Sequence, residues 1–393
     1  MKPIKYFSGI SKNTILLALA SFFSDVATEM LYPILPVFLM QTLQANGIIV
    51  GLIEGIAQAG QNIIQGFSGW LSDKMQQKKR IALIGYFLGA LAKPLLGLAG
   101  IWQMALGART LDRLASGFRS APRDALVAAS VTREHRGKAF GLEGFGDNLG
   151  AFMGPLVTLI LLACFWKVRS IFYLAVLPGL LAFFMVLAVK EKSIDESGQE
   201  PKIQLTKFPK AYWKYLAVIA LFGIGNSSNA FLILKAQDTG LSLEKTVLIY
   251  AGYNLLAALV SYPAGFLSDK FGRKYLLLSA FLIFFICYLG FALSDNFSFI
   301  AFLFILYGCY QGIFRSVGKA LALDFVPGNL HASAVGWFST TVGIQGLFAS
   351  LIAGILWDYL SHSAVFFYGA LFAFLGSVAL LILVSADSHA RRS

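Results

Sequence analysis

Long apolar runs separated by short polar breaks follow one another along the whole chain, as at 81–98, 171–189 and 365–384. About 20 residues rising about 1.5 Å each cross a hydrocarbon core about 30 Å thick. The runs lack the every-other-residue alternation of a barrel strand, so they predict helices. Spans are expected at 13–40, 47–70, 80–99, 101–127, 138–163, 168–189, 214–236, 246–267, 275–293, 298–325, 332–357 and 363–386. The fold class that follows is an all-α membrane protein of twelve transmembrane helices.

Composition agrees with lipid as the solvent. Of 393 residues, 57% are hydrophobic and only 13% charged, against about a quarter charged in soluble domains. Twelve spans and their loops leave no room for a soluble domain. The start of the chain lacks the pattern of a cleavable leader, so the first span is expected to be retained. Cys164, Cys287 and Cys309 lie in or beside apolar runs and read as packing residues. Neither a metal nor a cofactor is expected.

The net charge of +12 would suit nucleic acid if it were clustered, but its placement is topological. Twenty-one of the 32 Lys and Arg fall in the N-terminal segment, the even-numbered loops and the C-terminal tail. Only Lys167, Arg169, Lys235 and Lys245 fall in the odd-numbered loops. The positive-inside bias puts both termini in the cytoplasm and leaves no nucleic-acid partner. The expected location is a bacterial inner membrane.

The one long polar stretch divides the chain near its middle. We expect an N-terminal six-helix bundle at 1–189, a cytoplasmic linker at 190–213 and a C-terminal bundle at 214–393. Gly69-Trp70-Leu71-Ser72-Asp73-Lys74 returns as Gly265-Phe266-Leu267-Ser268-Asp269-Lys270, 196 residues on. Phe118-Arg119-Ser120 returns at the same offset as Phe314-Arg315-Ser316. Two matches at one offset make the bundles copies of one unit, related by a pseudo-two-fold axis.

Gly265-Phe-Leu-Ser-Asp-Lys-Phe-Gly-Arg-Lys274 resembles the loop between helices 8 and 9 of the major facilitator superfamily. Its N-terminal copy keeps Gly69, Asp73 and Lys74. The resemblance implies a secondary transporter working by alternating access, with Gly69, Asp73, Gly265, Asp269 and Arg273 in gate latches. Three further patterns resemble the proton-antiporting, tetracycline-type exporters of that superfamily. They are Asp25 followed by Pro33-Ile34-Leu35-Pro36, Arg113-Leu-Ala-Ser-Gly117, and Gly141, Gly150, Gly154 and Pro155. They imply proton-coupled export of a small organic compound, drug-like or a metabolite such as a siderophore. The rival reading is proton symport or facilitated import of an organic solute or anion. A more remote one is a sensor that does not transport. An enzyme is not expected, because His135, His331, His362 and His389 have no metal spacing and no nucleophile arrangement is present.

A charge at the centre of a spanning helix costs about 2.5–3.5 kcal/mol on insertion scales, so such residues point to function or to a partner. Asp25 and Glu29 share a face at i and i+4, and Glu54, Gln58, Gln61 and Gln65 form a stripe. Asp25, Glu29 and Glu54, with Arg113, are the expected proton-coupling residues. The alternative is a structural Asp25–Arg113 ion pair. Lys93, Arg109, Gln58, Asn226, Asn254 and Gln345 are the expected substrate contacts, with Lys93, Arg109 and Arg113 able to form a floor for an anion. Arg119, Arg123, Arg315 and Lys319 are expected in gate pairs with Asp124, Glu143, Asp147 or Asp324. Phe222, Phe231, Tyr253 and Trp337 are further candidates beside the substrate. The expected partners are a small organic substrate, protons and the lipid bilayer, with the protein acting as a monomer.

Overall fold

The structure, a computed structural model, describes residues 10–75, 77–131, 136–190, 208–326 and 331–384. Among them every regular element is helical. The first half holds α1 (Lys12–Glu29), α2 (Leu35–Val37), α3 (Gly47–Met75), α4 (Lys78–Leu98), α5 (Trp102–Ala129), α6 (Arg136–Ala163), α7 (Val168–Leu174) and α8 (Val176–Leu187). The second holds α9 (Lys210–Ile224), α10 (Ala230–Asp238), α11 (Leu243–Phe271), α12 (Arg273–Leu293), α13 (Phe297–Asp324), α14 (His331–Tyr359) and α15 (His362–Leu383). The internal repeat reappears in the elements: α3 begins at 47 and α11 at 243, again 196 residues apart.

Among the described residues nine helices are long and apolar enough to cross a membrane. The stretches 12–42, 102–129 and 210–238 miss that measure, the first two for reasons written in the sequence. Pro33 has no N–H for the Glu29 carbonyl, so the span expected at 13–40 stops at Glu29 and resumes as α2 and a π-helical turn, Phe38–Thr42. α5 carries Arg109, Asp112, Arg113, Arg119, Arg123 and Asp124. The span expected at 214–236 is broken between α9 and α10, over Gly225 to Asn229. Pro178 likewise divides the span expected at 168–189 at Ala175. At 225–229 the backbone closes on a neighbour, since a Cβ on Gly225 would lie 2.6 Å from the Phe372 Cβ. Gly272, between α11 and α12, has φ +94°, a conformation that only glycine adopts without strain.

The described residues form two compact units, 10–32 with 63–190, and 33–62 with 208–384. In the first, α1 packs on α6 and α8, and α4 packs on α5 and α8. Leu17, Ala20, Tyr86, Val127 and Val186 are buried together in its interior. In the second, α11 and α12 pack on α13, and α15 packs on α9 and α12. Its interior is aromatic, with Phe222 stacked on Phe281 and Phe284 on Tyr288, both at 3.9 Å between centroids. Phe222 and Phe231, expected beside a substrate, are fully buried in this packing, because aromatic rings fill a helix interface better than any other side chain.

Residues 47–62 of α3 belong to the second unit and lie along α14. A Cβ on Gly51 would stand 2.1 Å from the Ser350 carbonyl oxygen, and one on Gly354 would stand 2.4 Å from that of Gly47. At the start of α3, Asp358 accepts the backbone N–H of Gly47 on Oδ1 and of Ile48 on Oδ2, both at 2.8 Å.

Candidate functional site

In the first unit the carboxylates sit where α1 meets α6. Gly146, Gly150 and Gly154 recur every four residues, so they share one face of α6 and let its backbone reach α1. A Cβ on Gly150 would lie 2.4 Å from the Phe22 carbonyl oxygen and 2.9 Å from the Asp25 Cβ. One on Gly154 would lie 2.9 Å from the Glu29 Cβ. Thr158, one turn on, donates to the Met30 carbonyl at 2.6 Å, just where α1 stops.

That close approach sets Asp25 beside Asp147, with Glu29 and the charge of Arg119 also acting on it. Two carboxyls that meet can hydrogen-bond to one another only while one carries a proton, because a carboxylate is an acceptor alone. Arg119 is buried, with its guanidinium 4.6 Å above the Tyr86 ring. The network continues from Asp147 to Arg123, whose Nη1 is 3.9 Å from Asp147 and 3.0 Å from Glu143. Ser21 accepts from Arg123 at 3.1 Å and donates to Glu143 at 2.7 Å. Arg123 also holds Asp124 at 3.0 Å.

A second cluster lies between α4, α5 and the end of α1. Lys93, Arg109 and Asp112 are 2%, 1% and 4% exposed. Lys93 pairs with Asp112 Oδ1 and donates to Thr28 at 3.2 Å, while Arg109 reaches Asp112 Oδ2 at 3.4 Å. Arg109 and Arg113 both lie over the Tyr32 ring, at 5.3 and 5.9 Å from its centroid.

In the second unit the break between α9 and α10 gathers the amides. Asn226 donates to Tyr310 at 2.8 Å and accepts from Tyr307 at 3.4 Å, so its amide joins the broken helix to α13. Asn229 donates to Tyr253 at 3.0 Å. Gln345, on α14, is 6% exposed, and neither its Oε1 nor its Nε2 has a hydrogen-bond partner among the described residues. Glu54 is buried, Asn254 partly exposed, and Gln58 exposed. Arg273 pairs with Asp324 at 2.5 Å and donates to the Ala320 carbonyl at 2.9 Å, which ties the start of α12 to the end of α13. Arg315 and Lys319 are exposed. The side chains of Gly69, Asp73, Gly141, Gly265 and Asp269 lie outside the described ones.

The structure thus gathers Asp25 and Glu29 at one helix contact and Lys93, Arg109 and Arg113 around one aspartate. Glu54 is placed in the other unit. Sequence reasoning had not paired Asp147 with Asp25, although Asp147, Gly150 and Gly154 at i, i+3 and i+7 mark one face. Nor had it given Asp112, Tyr32, Tyr307 or Tyr310 a role.

A model of the Major Facilitator Superfamily matches residues 17–242 and again 215–393. The chain belongs to that superfamily. An uncharacterized MFS-type transporter of Methanocaldococcus jannaschii is 33% identical over 382 residues, 95% of either chain. A "probable 4-methylmuconolactone transporter" of Cupriavidus pinatubonensis is 28% identical over 75% of this chain and 72% of its own. The multidrug resistance protein MdtG of Escherichia coli is 28% identical over 68% of this chain and 69% of its own. The fold is that of the nucleoside transporter NupG, with TM-score 0.77 at 14% identity, over 94% of this chain and 98% of that one. This MFS protein is therefore a multi-pass membrane protein of a family of secondary transporters, and a small molecule is the cargo such a fold carries.

Proposed function

We propose that this MFS transporter exports a small organic compound in exchange for protons, and that the Asp25–Asp147 pair carries the proton. The observation that carries the reading is the approach of those two carboxyls, on two helices that glycines bring into backbone contact. Any rocking of α1 against α6 pulls the carboxyls apart, hydrates them and frees the shared proton; their return takes up another. Arg119 and Arg123 supply the positive charge that stabilises the pair once the proton has left. The likeness to exporters of the tetracycline type and to a multidrug resistance protein supports the outward direction. The protein then works as a monomer in a bacterial inner membrane with both termini inside, as its basic loops suggest.

The test uses inverted membrane vesicles with an acid interior and a pH-sensitive dye. A panel of lipophilic cations, neutral drugs and carboxylates is added in turn. Export by antiport predicts proton release for one compound class, lost in both Asp25→Asn and Asp147→Asn. Release that persists unchanged in Asp25→Asn removes the pair from the role. Uptake of a solute by right-side-out vesicles, with no proton release from inverted ones, replaces export with import.

A further inference from the structure

Three cations of the first unit converge on one anion. Lys93 pairs with Oδ1 of Asp112 and Arg109 with Oδ2. Arg113 adds its charge to the same carboxylate from beyond ion-pair distance. Among the described residues its side chain makes no direct ion pair and no hydrogen bond, and its guanidinium lies over the Tyr32 ring. Among the other carboxyls of the unit, Asp25 lies beside Asp147, and Arg123 holds Glu143 and Asp124. Arg113 lies about 16 Å along α5 from Trp102 at about 1.5 Å per residue, near the middle of a 28-residue helix. A guanidinium at that depth needs an anion or water facing it.

Its geometry names the anion. The Tyr32 ring lies 5.9 Å from the guanidinium carbon, and a ring face attracts the cation without accepting the N–H groups along its edge. Unlike Arg109, Arg113 is partly exposed, so a solute can reach that edge. A planar edge of parallel N–H donors fits a carboxylate with two bonds, which a point charge such as Lys does not reproduce. Lys93 and Arg109, held on Asp112, keep the surroundings positive without competing for the ligand.

We propose, resting on the transport reading above, that the cargo is an organic anion bearing a carboxylate, and that Arg113 binds that carboxylate with Tyr32 supporting its guanidinium. Lys93 and Arg109 shape the wall of the site. This moves Arg113 from the proton-coupling role its motif suggested to substrate specificity.

The test measures binding to the purified full-length protein in detergent, with no gradient, so that failure of proton coupling leaves it untouched. Benzoate, succinate, benzylphosphonate and tetraphenylphosphonium are each titrated by calorimetry. At least one carboxylate is expected to bind, with affinity falling about tenfold or more in Arg113→Gln and partly kept in Arg113→Lys. Lys167→Gln and Lys245→Gln, at exposed lysines, are expected to bind it as the unaltered protein does. Gel filtration of each variant reports folding, and Arg113→Lys serves if Arg113→Gln does not fold. Carboxylate binding unchanged in Arg113→Gln overturns the proposal, as does binding of benzylphosphonate or tetraphenylphosphonium with no carboxylate bound. Proton release driven only by cations would sink this inference while sparing antiport; carboxylate binding with no proton release would do the reverse.

Discussion

Asp358, at the last turn of α14, caps the first turn of α3 by accepting the N–H of Gly47 on one carboxylate oxygen, with the other oxygen taking Ile48. The first N–H groups of any helix lack an intrahelical partner, and a carboxylate there also meets the positive end of the helix dipole. Usually the cap comes from the preceding residue of the same chain segment. Here Asn46 caps Ile49 in that way at 3.0 Å, and Asp358, 311 residues from Gly47, takes the two N–H groups before it, so this second cap is also a clasp between two helices. Opening the contact of 47–62 with α14 has to break both bonds.

Asp358→Ala is therefore expected to lower stability by about 0.5–2 kcal/mol, the range for a lost N-cap. Asp358→Asn, which keeps one acceptor, should lose less. Thermal unfolding of the purified protein measures both. Equal melting temperatures for Asp358→Ala and the unaltered protein would show that the clasp does not hold.

Gly150→Ala forces a methyl against the Phe22 carbonyl and Asp25, so α1 and α6 must separate. Overpacking of this kind costs about 1–3 kcal/mol. Transport should fall with it, because the meeting of Asp25 and Asp147 depends on the same approach. Gly144→Ala is the control, since nothing lies within 4 Å of a Cβ there. Transport rates of the two variants in vesicles check the contrast, and equal rates would contradict it.

Gln345 is buried, and among the described residues both ends of its amide lack a hydrogen-bond partner. An unsatisfied buried polar group costs about 1–3 kcal/mol. Gln345→Met is expected to raise the melting temperature, and to weaken transport if the amide meets the cargo. A lower melting temperature would mean that the amide is satisfied in the folded protein.

Lys235 is 3% exposed and pairs with Asp295, 87% exposed, at 2.7 Å. The hydrogen bond and charge of Lys235 hold the Asp295 carboxyl below the ordinary carboxylate range. A carboxyl depressed in the folded state contributes stability above its unfolded value, about 3.9, and loses it as pH falls through the folded value. Asp295→Asn should thus melt below the unaltered protein at pH 7, with the gap closing as the pH falls below about 4. A gap independent of pH would assign it to packing instead.

Much of this was legible in the residues. Asp25 and Glu29 stand out because carboxylates are rare in apolar runs, and Gly150 and Gly154 stand out through their resemblance to exporter glycines. The proline that ends α1 could be read directly. The break between α9 and α10 could not, since no proline lies in 225–229 and the amides there read equally well as helical. Asp112, three residues from Arg109, has the spacing of a local helical pair and so carries no sequence signal of a distant partner. Its engagement of Lys93, 19 residues earlier on another helix, needs the α4–α5 contact.

The sequence by itself determined that this is a membrane protein of repeated helical halves, and where its charges lie along each helix. Those are sums over neighbouring residues: a run of apolar side chains partitions into lipid whatever surrounds it. Only the tertiary structure decided which charge meets which. Asp25 finds Asp147 across 122 positions because three glycines let two backbones touch, and Lys93, Arg109 and Arg113 gather on Asp112 because α4 packs against α5. Pairings of that kind depend on which helices are neighbours and how closely they approach, and no local pattern carries that information.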